Sequence, residues 1–460
     1  MQPVLEVTLP ADKERGSLLR VLGVGFGLAV IIGNTIGAGI LRTPGDVALH
    51  LPSLWLFMGV WIMGGLYALL GALSLAELGT MIPRSGGQYV FARYALGDYA
   101  GFIVGWSDWI STCGTTAAVA IVIGEYAGVL FPVLAGEQKK VLLASAVAIG
   151  FALLQWRGVL WGSRVQNLTS LLKALAFIAL IVACFALGGG GSVDKATAPT
   201  VPRGIPLVIA LIVSLQAVIY TYDGWSGVVY FSEEVREPER DIPRALFGGV
   251  LLIIAIYLLV NVAILYVLPL TKIAGENLAA GAAAQVIFGA YGDTIIRSLT
   301  IISMLSGINA YHLMATRVLF AMSRDGLFSH VAAKVNRGGT PTVALFVSTA
   351  VSVLFIVYGK TFEKVIAALA FFFVANYTLS FISVFVLRWR EPERPRPYKT
   401  WGYPWTTALA LLGSIAFLVG AVATDLQSED QRNSIYALLL LAASYPAFLL
   451  LRWLARPVKN

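Results

Sequence analysis

The chain has 460 residues, of which 58% are hydrophobic and only 13% charged. Soluble domains carry about 25% charged residues, so this composition excludes a water-soluble globule and marks an integral membrane protein. A net charge of +8 would suit nucleic acid, but its placement follows membrane topology instead, and no nucleic-acid partner is expected.

The first 16 residues carry both charge signs and no short apolar core before a small-residue site. No cleavable signal is expected, and the first spanning helix should direct insertion. A spanning helix needs about 20 mostly apolar residues. Twelve stretches qualify: 20–49, 53–79, 98–131, 140–156, 164–187, 205–232, 243–270, 293–323, 341–358, 361–388, 404–424 and 432–454. With both termini inside, the inner stretches hold roughly twice as many Lys and Arg as the outer ones, as the positive-inside rule requires. This places the N and C termini in the cytoplasm. The connecting loops are too short for a further domain, so residues 1–460 read as one transmembrane domain. The outer GGGGSVDKATAPTVPRG (188–204) is the best linker.

Two spanning segments are interrupted. IIGNTIGAGI (31–40) places Gly33, Gly37 and Gly39 in the first, and YTYDGWSG (220–227) places Asp223 and Gly224 in the sixth. Glycine costs about 1 kcal/mol relative to alanine inside a helix, and a mid-membrane charge is costly. Gly-interrupted segments at corresponding positions of two halves point to a transporter's binding site. Unwound backbone is tolerated in a bilayer only where it lines a cavity or finds a partner. Running inside to outside, the first segment restarts after its break with free N–H groups, which suit a carboxylate. The outer half of the sixth ends at its break with free carbonyls, which suit an ammonium. One zwitterion satisfies both. The glycines of the first motif also fit simple helix packing, since Gly33 and Gly37 have small-xxx-small spacing. The matched second break shifts the reading from packing to a site.

Four stretches carry a family resemblance: IIGNTIGAGILRTPG (31–45), AELGTMIPRSGGQYVFARYALG (76–97), YDGWSGVVYFSEEVREPERDIPRAL (222–246) and ATRVLFAMSRDGLFSHVAAKVNRGGTP (315–341). They resemble the amino acid–polyamine–organocation superfamily, most closely its L-type amino acid transporter branch. LRWREPERPRPYKTWGYPW (387–405) is similar to bacterial members. The resemblance implies an all-α membrane protein of twelve helices. Its five-plus-five inverted repeat is LeuT-like (1–187 and 205–388), with broken helices one and six, and helices eleven and twelve follow at 404–454. It also implies that backbone groups of Gly37, Ala38 and Gly39 bind a carboxylate and that carbonyls of Thr35, Tyr220 and Asp223 take the ammonium. Relatives often have serine at the position of Ala38. Eukaryotic members are tied to a heavy chain by a cysteine after helix three. The loop FPVLAGEQKK (131–140) has none, so no disulfide-linked partner is expected.

Lys173 lies nine residues beyond Arg164, about 14 Å up a helix, too deep for ordinary snorkelling. The resemblance puts it where sodium-driven relatives hold sodium, bridging helices one and eight, and implies sodium independence. The alternative is a structural bond to helix-end carbonyls. Asp223 either fixes the broken backbone or also meets a substrate side chain. Tyr222, Gly224 and Trp225 are gate or pocket-wall candidates, with Asn309 and Asn376 as weaker ones. Asn309, Asn376, Ser306 and His312 fit polar helix–helix contacts. Glu77, Glu125 and the loop EEVREPERD (233–241) read as solvated or salt-bridged, and Arg84 with Gly86 and Gly87 as a turn in a region where relatives gate.

The function expected is transport of small L-amino acids across the cell membrane by sodium-independent exchange. Proton-coupled symport is the close variant. A polyamine or cationic amino acid carrier and a transporter-fold nutrient sensor remain open. A channel would show a pore-lining repeat or charged ring. An enzyme would need a nucleophile and base or a metal. Cys113 and Cys184 fall in apolar segments, and His50, His312 and His330 lie far apart, so neither metal nor cofactor is expected.

Overall fold

The computed structural model describes residues 18–189, 201–359, 362–427 and 433–454. In chain order its helices are α1 (Val24–Thr35), α2 (Gly39–His50), α3 (Leu54–Met81), α4 (Gln88–Leu96), α5 (Asp98–Leu130), α6 (Glu137–Trp156), α7 (Val159–Leu187) and α8 (Ile205–Tyr222). There follow α9 (Pro238–Val267), α10 (Leu270–Ile273), α11 (Ala279–Phe288), α12 (Gly292–Arg324), α13 (Thr342–Gly359), α14 (Phe362–Arg390), α15 (Trp405–Gln427) and α16 (Asn433–Leu454). Among the described residues β structure is limited to two isolated bridges.

Among the described residues ten helical stretches are long and apolar enough to cross a bilayer, and eleven when the bent pair α1 and α2 counts as one span. The chain is therefore a multi-pass, all-α membrane protein. In α16 the apolar stretch is shorter, Ile435–Leu451, and it contains Pro446. Helix α9 begins at Pro238, ahead of the apolar run. Proline at the first turn lacks an N–H that would be unpaired anyway, and Glu239 and Asp241 complement the helix dipole there. Helices α4, α10 and α11 lie in connections that periodicity alone reads as loops.

Burial separates the bundle's centre from its rim. In α5, 78% of the apolar window is buried, against 22% in α6 and 28% in α15. Small residues explain the centre: Ala117, Ala118 and Ala120 are fully enclosed, which lets neighbouring helices approach closely. On α7, Leu168, Leu171, Leu172 and Leu175 face outward, as expected for a surface solvated by lipid tails.

Candidate functional site

Helices α1 and α2 meet at 45° across Ile36, Gly37 and Ala38. A helix in a bilayer leaves its last carbonyls without intrahelical partners, and here other helices supply them. Lys173 Nζ on α7 donates to Gly33 O at 2.8 Å and Ile36 O at 2.6 Å. Ser303 Oγ on α12 donates to Ile36 O at 3.0 Å, and Tyr311 Oη to Asn34 O at 3.0 Å. Tyr257 Oη on α9 reaches Thr35 O at 2.6 Å and Thr221 O at 3.0 Å, so it joins the ends of α1 and α8. The start of α2 has no such partners. Its N-cap Ala38 offers no side-chain cap, and the amides of Gly37, Ala38 and Gly39 make no backbone bond among the described residues.

The second break follows Tyr222. Asp223 is extended and Gly224 has φ +106°, a conformation glycine adopts at little cost. Space demands glycine as well. A Cβ on Gly224 would lie 2.7 Å from Asn34 Cβ and 2.9 Å from Thr35 N. The two interruptions, about 190 residues apart in sequence, therefore pack backbone against side chain. Residues 227–231 continue as a 3-10 turn.

The glycines of the first motif divide by role. A Cβ on Gly33 would stand 2.0 Å from Gln166 Nε2 and 2.8 Å from Ser306 Oγ, so Gly33 serves close packing. A Cβ on Gly37 would meet only Met304 Cε, at 3.5 Å, so protein packing does not require glycine there. Gly39 backs onto Thr221, and a Cβ there would lie 3.1 Å from Thr221 Cγ2.

A cavity of about 280 Å³ opens where the breaks meet. It is bounded by Thr35, Gly37, Ala38 and Gly39 on one side and by Tyr220 and Asp223 on the other. Phe373, Val119 and Met304 add an apolar wall, and the space runs along α2 to Arg42, Asp46 and Asn277. The Thr35 and Tyr220 carbonyls each already accept one bond, from Tyr257 Oη and Asp223 N. A carbonyl has two lone pairs, so each can accept another. Asp223 Oδ1 accepts from Tyr377 Oη at 2.8 Å.

Other sequence candidates lie outside the cavity wall. Tyr222 packs against Trp61 and Tyr257. Trp225 stacks on Tyr377 with centroids 4.8 Å apart. Asn309 binds Gln166 at 2.8 Å and Gly162 O at 3.0 Å. Asn376 accepts from Ser107 Oγ at 2.9 Å, a contact between α14 and α5. Lys173 acts from behind the wall, through carbonyls, and α12 joins it by way of Ser303 on the shared Ile36 oxygen. Tyr257, Tyr311 and Ser303 are not legible in the sequence. An isolated hydroxyl in an apolar run carries no local signal of the carbonyl it will reach.

The opposite end of the bundle is closed by polar contacts. Arg317 and Glu234, both 0% exposed, form a two-pronged pair at 2.8 and 2.9 Å. The loop 233–241 is thus not uniformly solvated: Glu234 is enclosed, whereas Glu237 and Arg240 stay exposed. Tyr230 Oη donates to Asp108. Asp325 takes Arg84 at 2.9 Å and Arg93 at 2.8 Å. Gly86 and Gly87 have positive φ, and a Cβ on Gly87 would strike the Tyr230 ring at 2.5 Å. Of the two readings for Glu77 the paired one holds: it is buried, salt-bridged to Arg388 and bound by Thr400 N. Among the described residues no cluster of His, Cys, Asp or Glu could hold a metal.

Comparison with known proteins places this geometry. The sequence profile described as "Amino acid permease" matches residues 26–444. The chain is 31% identical to the serine/threonine exchanger SteT of Bacillus subtilis (strain 168), over 90% of this chain and 94% of that one. It is 29% identical to Asc-type amino acid transporter 1 of Mus musculus, covering 84% and 74% of the two chains. Large neutral amino acids transporter small subunit 2 of Homo sapiens is 27% identical, over 85% and 75%. With a profile match over most of the chain and a relative similar over nine-tenths of both lengths, the chain belongs to the amino acid permease family, within the amino acid–polyamine–organocation superfamily.

Proposed function

We propose that the chain is a secondary carrier of small L-amino acids that works by sodium-independent exchange through alternating access. One observation carries the reading. The start of α2, whose amides make no backbone bond among the described residues, borders a cavity lined on its other side by Tyr220 and Asp223. A substrate carboxylate sits on the amides of Gly37, Ala38 and Gly39, and its ammonium on the carbonyls of Thr35, Tyr220 and Asp223. With about 280 Å³, the cavity is below the usual range for drug-sized ligands of about 300–1,000 Å³, which suits a small side chain. The 31% identity to a serine/threonine exchanger points the same way.

Sodium independence rests on Lys173. Its Nζ occupies the position between the Gly33 and Ile36 carbonyls that a cation held by those oxygens would need. In this reading α16 is the twelfth span, and the repeats are 1–187 and 205–388. Both termini are cytoplasmic and the membrane is the cell membrane. The carrier works without a disulfide-linked partner, and Cys113 and Cys184 are buried and free.

The test is counterflow in proteoliposomes with a panel of amino acids. Uptake of a small neutral amino acid should require internal amino acid and be indifferent to sodium. Uptake into empty vesicles that follows a pH gradient would replace exchange with proton symport. A second reading has one observation in its favour: an acidic residue, Asp223, lines the cavity. If lysine, ornithine or a polyamine outcompetes serine in the panel, the cationic-substrate reading takes over.

A further inference from the structure

The segment from Leu387 to Trp405, which joins α14 to α15, is dense in basic residues, with Arg388, Arg390, Arg394, Arg396 and Lys399 outnumbering Glu391 and Glu393. It folds around a second cavity, of about 650 Å³, lined by Arg388, Arg394, Arg396 and Lys399, together with Trp389, Tyr403 and the exposed Glu393. These cations outnumber the carboxylates that hold them. Arg396 donates to the carbonyls of Leu387 and Glu391 at 3.0 and 2.8 Å and to those of Pro392 and Arg394 at 3.1 and 2.9 Å. Neighbouring Arg390 donates to Ala95 O at 2.9 Å. A carbonyl orients a guanidinium without neutralising it. Glu77 pairs with Arg388 at 2.7 Å and lies 3.2 Å from Arg396, so one buried carboxylate is shared by two cations. Glu391 pairs with Arg394 at 2.8 Å.

The surroundings say where this excess charge sits. Trp389, Trp401 and Trp405 are 80%, 78% and 76% exposed, and they flank the points where α14 and α15 leave the apolar layer. Exposed tryptophan at helix ends marks the headgroup level of a bilayer. Basic pockets at that level suit anionic headgroups.

We propose that this cavity binds the phosphate of an anionic glycerophospholipid, with Lys399 and the partly exposed guanidiniums of Arg388 and Arg394 facing the headgroup and Trp389 against its glycerol and upper acyl chain. The site rests only on the chain's spanning a bilayer, not on what it carries. Binding is read without transport, so failure of the carrier reading and failure of this one are distinguishable.

The test uses the purified full chain and native mass spectrometry, with phosphatidylglycerol and phosphatidylcholine of identical acyl chains. The first phosphatidylglycerol should be held more tightly than the first phosphatidylcholine. Lys399→Gln should weaken phosphatidylglycerol about fivefold, the equivalent of ~1 kcal/mol for one cation near an anionic surface. Trp389→Ala should weaken both lipids. Glu393→Gln, which removes an exposed carboxylate, should tighten phosphatidylglycerol, a gain that misfolding cannot mimic. Equal retention of the two lipids, or indifference to the Lys399 and Glu393 substitutions, overturns the site. Displacement of phosphatidylglycerol by millimolar inorganic phosphate overturns the lipid assignment in favour of a free anion.

Discussion

At the first break one helix ends and another begins within a few residues, and the two ends are treated in opposite ways. The carbonyl end of α1 is held by Lys173, Tyr257, Ser303 and Tyr311 from α7, α9 and α12. The amide end of α2 is left bare above a cavity. Both ends would cost several kcal/mol if left unpaired in hydrocarbon, so the asymmetry separates framework from the ligand site proposed above. The protein completes the carbonyl end itself, which fixes the geometry. In the proposed reading the amide end receives the substrate carboxylate.

Substitutions that fill or uncap either end break this contrast, and the largest effect belongs to the bare amides. Gly39→Val adds a Cβ already 3.1 Å from Thr221 Cγ2, with methyls crowding the amides. Loss of charge-assisted bonds worth about 1.5–3 kcal/mol each should weaken binding by about 100-fold or more, as read by isothermal calorimetry. Wild-type affinity would count against the carboxylate placement. Gly37→Ala sharpens the point, because its Cβ meets only Met304; folding yield should hold while affinity drops.

On the capped end, Lys173→Ala removes two bonds at once. Exchange should slow by about tenfold or more, at about 1.5–3 kcal/mol per charged bond, with expression and monodispersity retained. An unchanged counterflow rate would refute the role. Tyr257→Phe keeps the ring packing on Tyr222 and Trp61 but frees the Thr35 and Thr221 carbonyls. A loss of about 1 kcal/mol, near fivefold in transport, is expected; a silent variant would mean that the bridge does not set the break. Ser303→Ala should do least, about twofold, because Ile36 O keeps Lys173. An effect larger than that of Tyr257→Phe would reverse the ranking.

Much of the architecture is legible in the amino-acid sequence. Helical spans follow from apolar run length, which is local. Both interruptions follow from glycines and an aspartate in otherwise apolar runs, and Thr35, Gly37, Ala38, Gly39, Tyr220 and Asp223 all line one cavity. The pocket-wall candidates are less legible. Tyr222, Gly224, Trp225, Asn309 and Asn376 sit behind or beside the cavity, because the face a helix residue presents depends on rotation and neighbours. The same limit hides the enclosed Glu234–Arg317 pair inside a loop that reads as solvated, and the burial of Glu77.

The sequence by itself determined that this chain spans a membrane many times and that two of its helices stop midway, since both properties are written in runs of neighbouring residues. Only the tertiary structure decided what each stop is for. Gly33 packs against Gln166, Gly224 admits Asn34, and Gly37 has room for a Cβ in ordinary contact with Met304, although all three look alike in the chain. Their difference is made by side chains arriving from helices more than a hundred residues away, and no local pattern records that arrival.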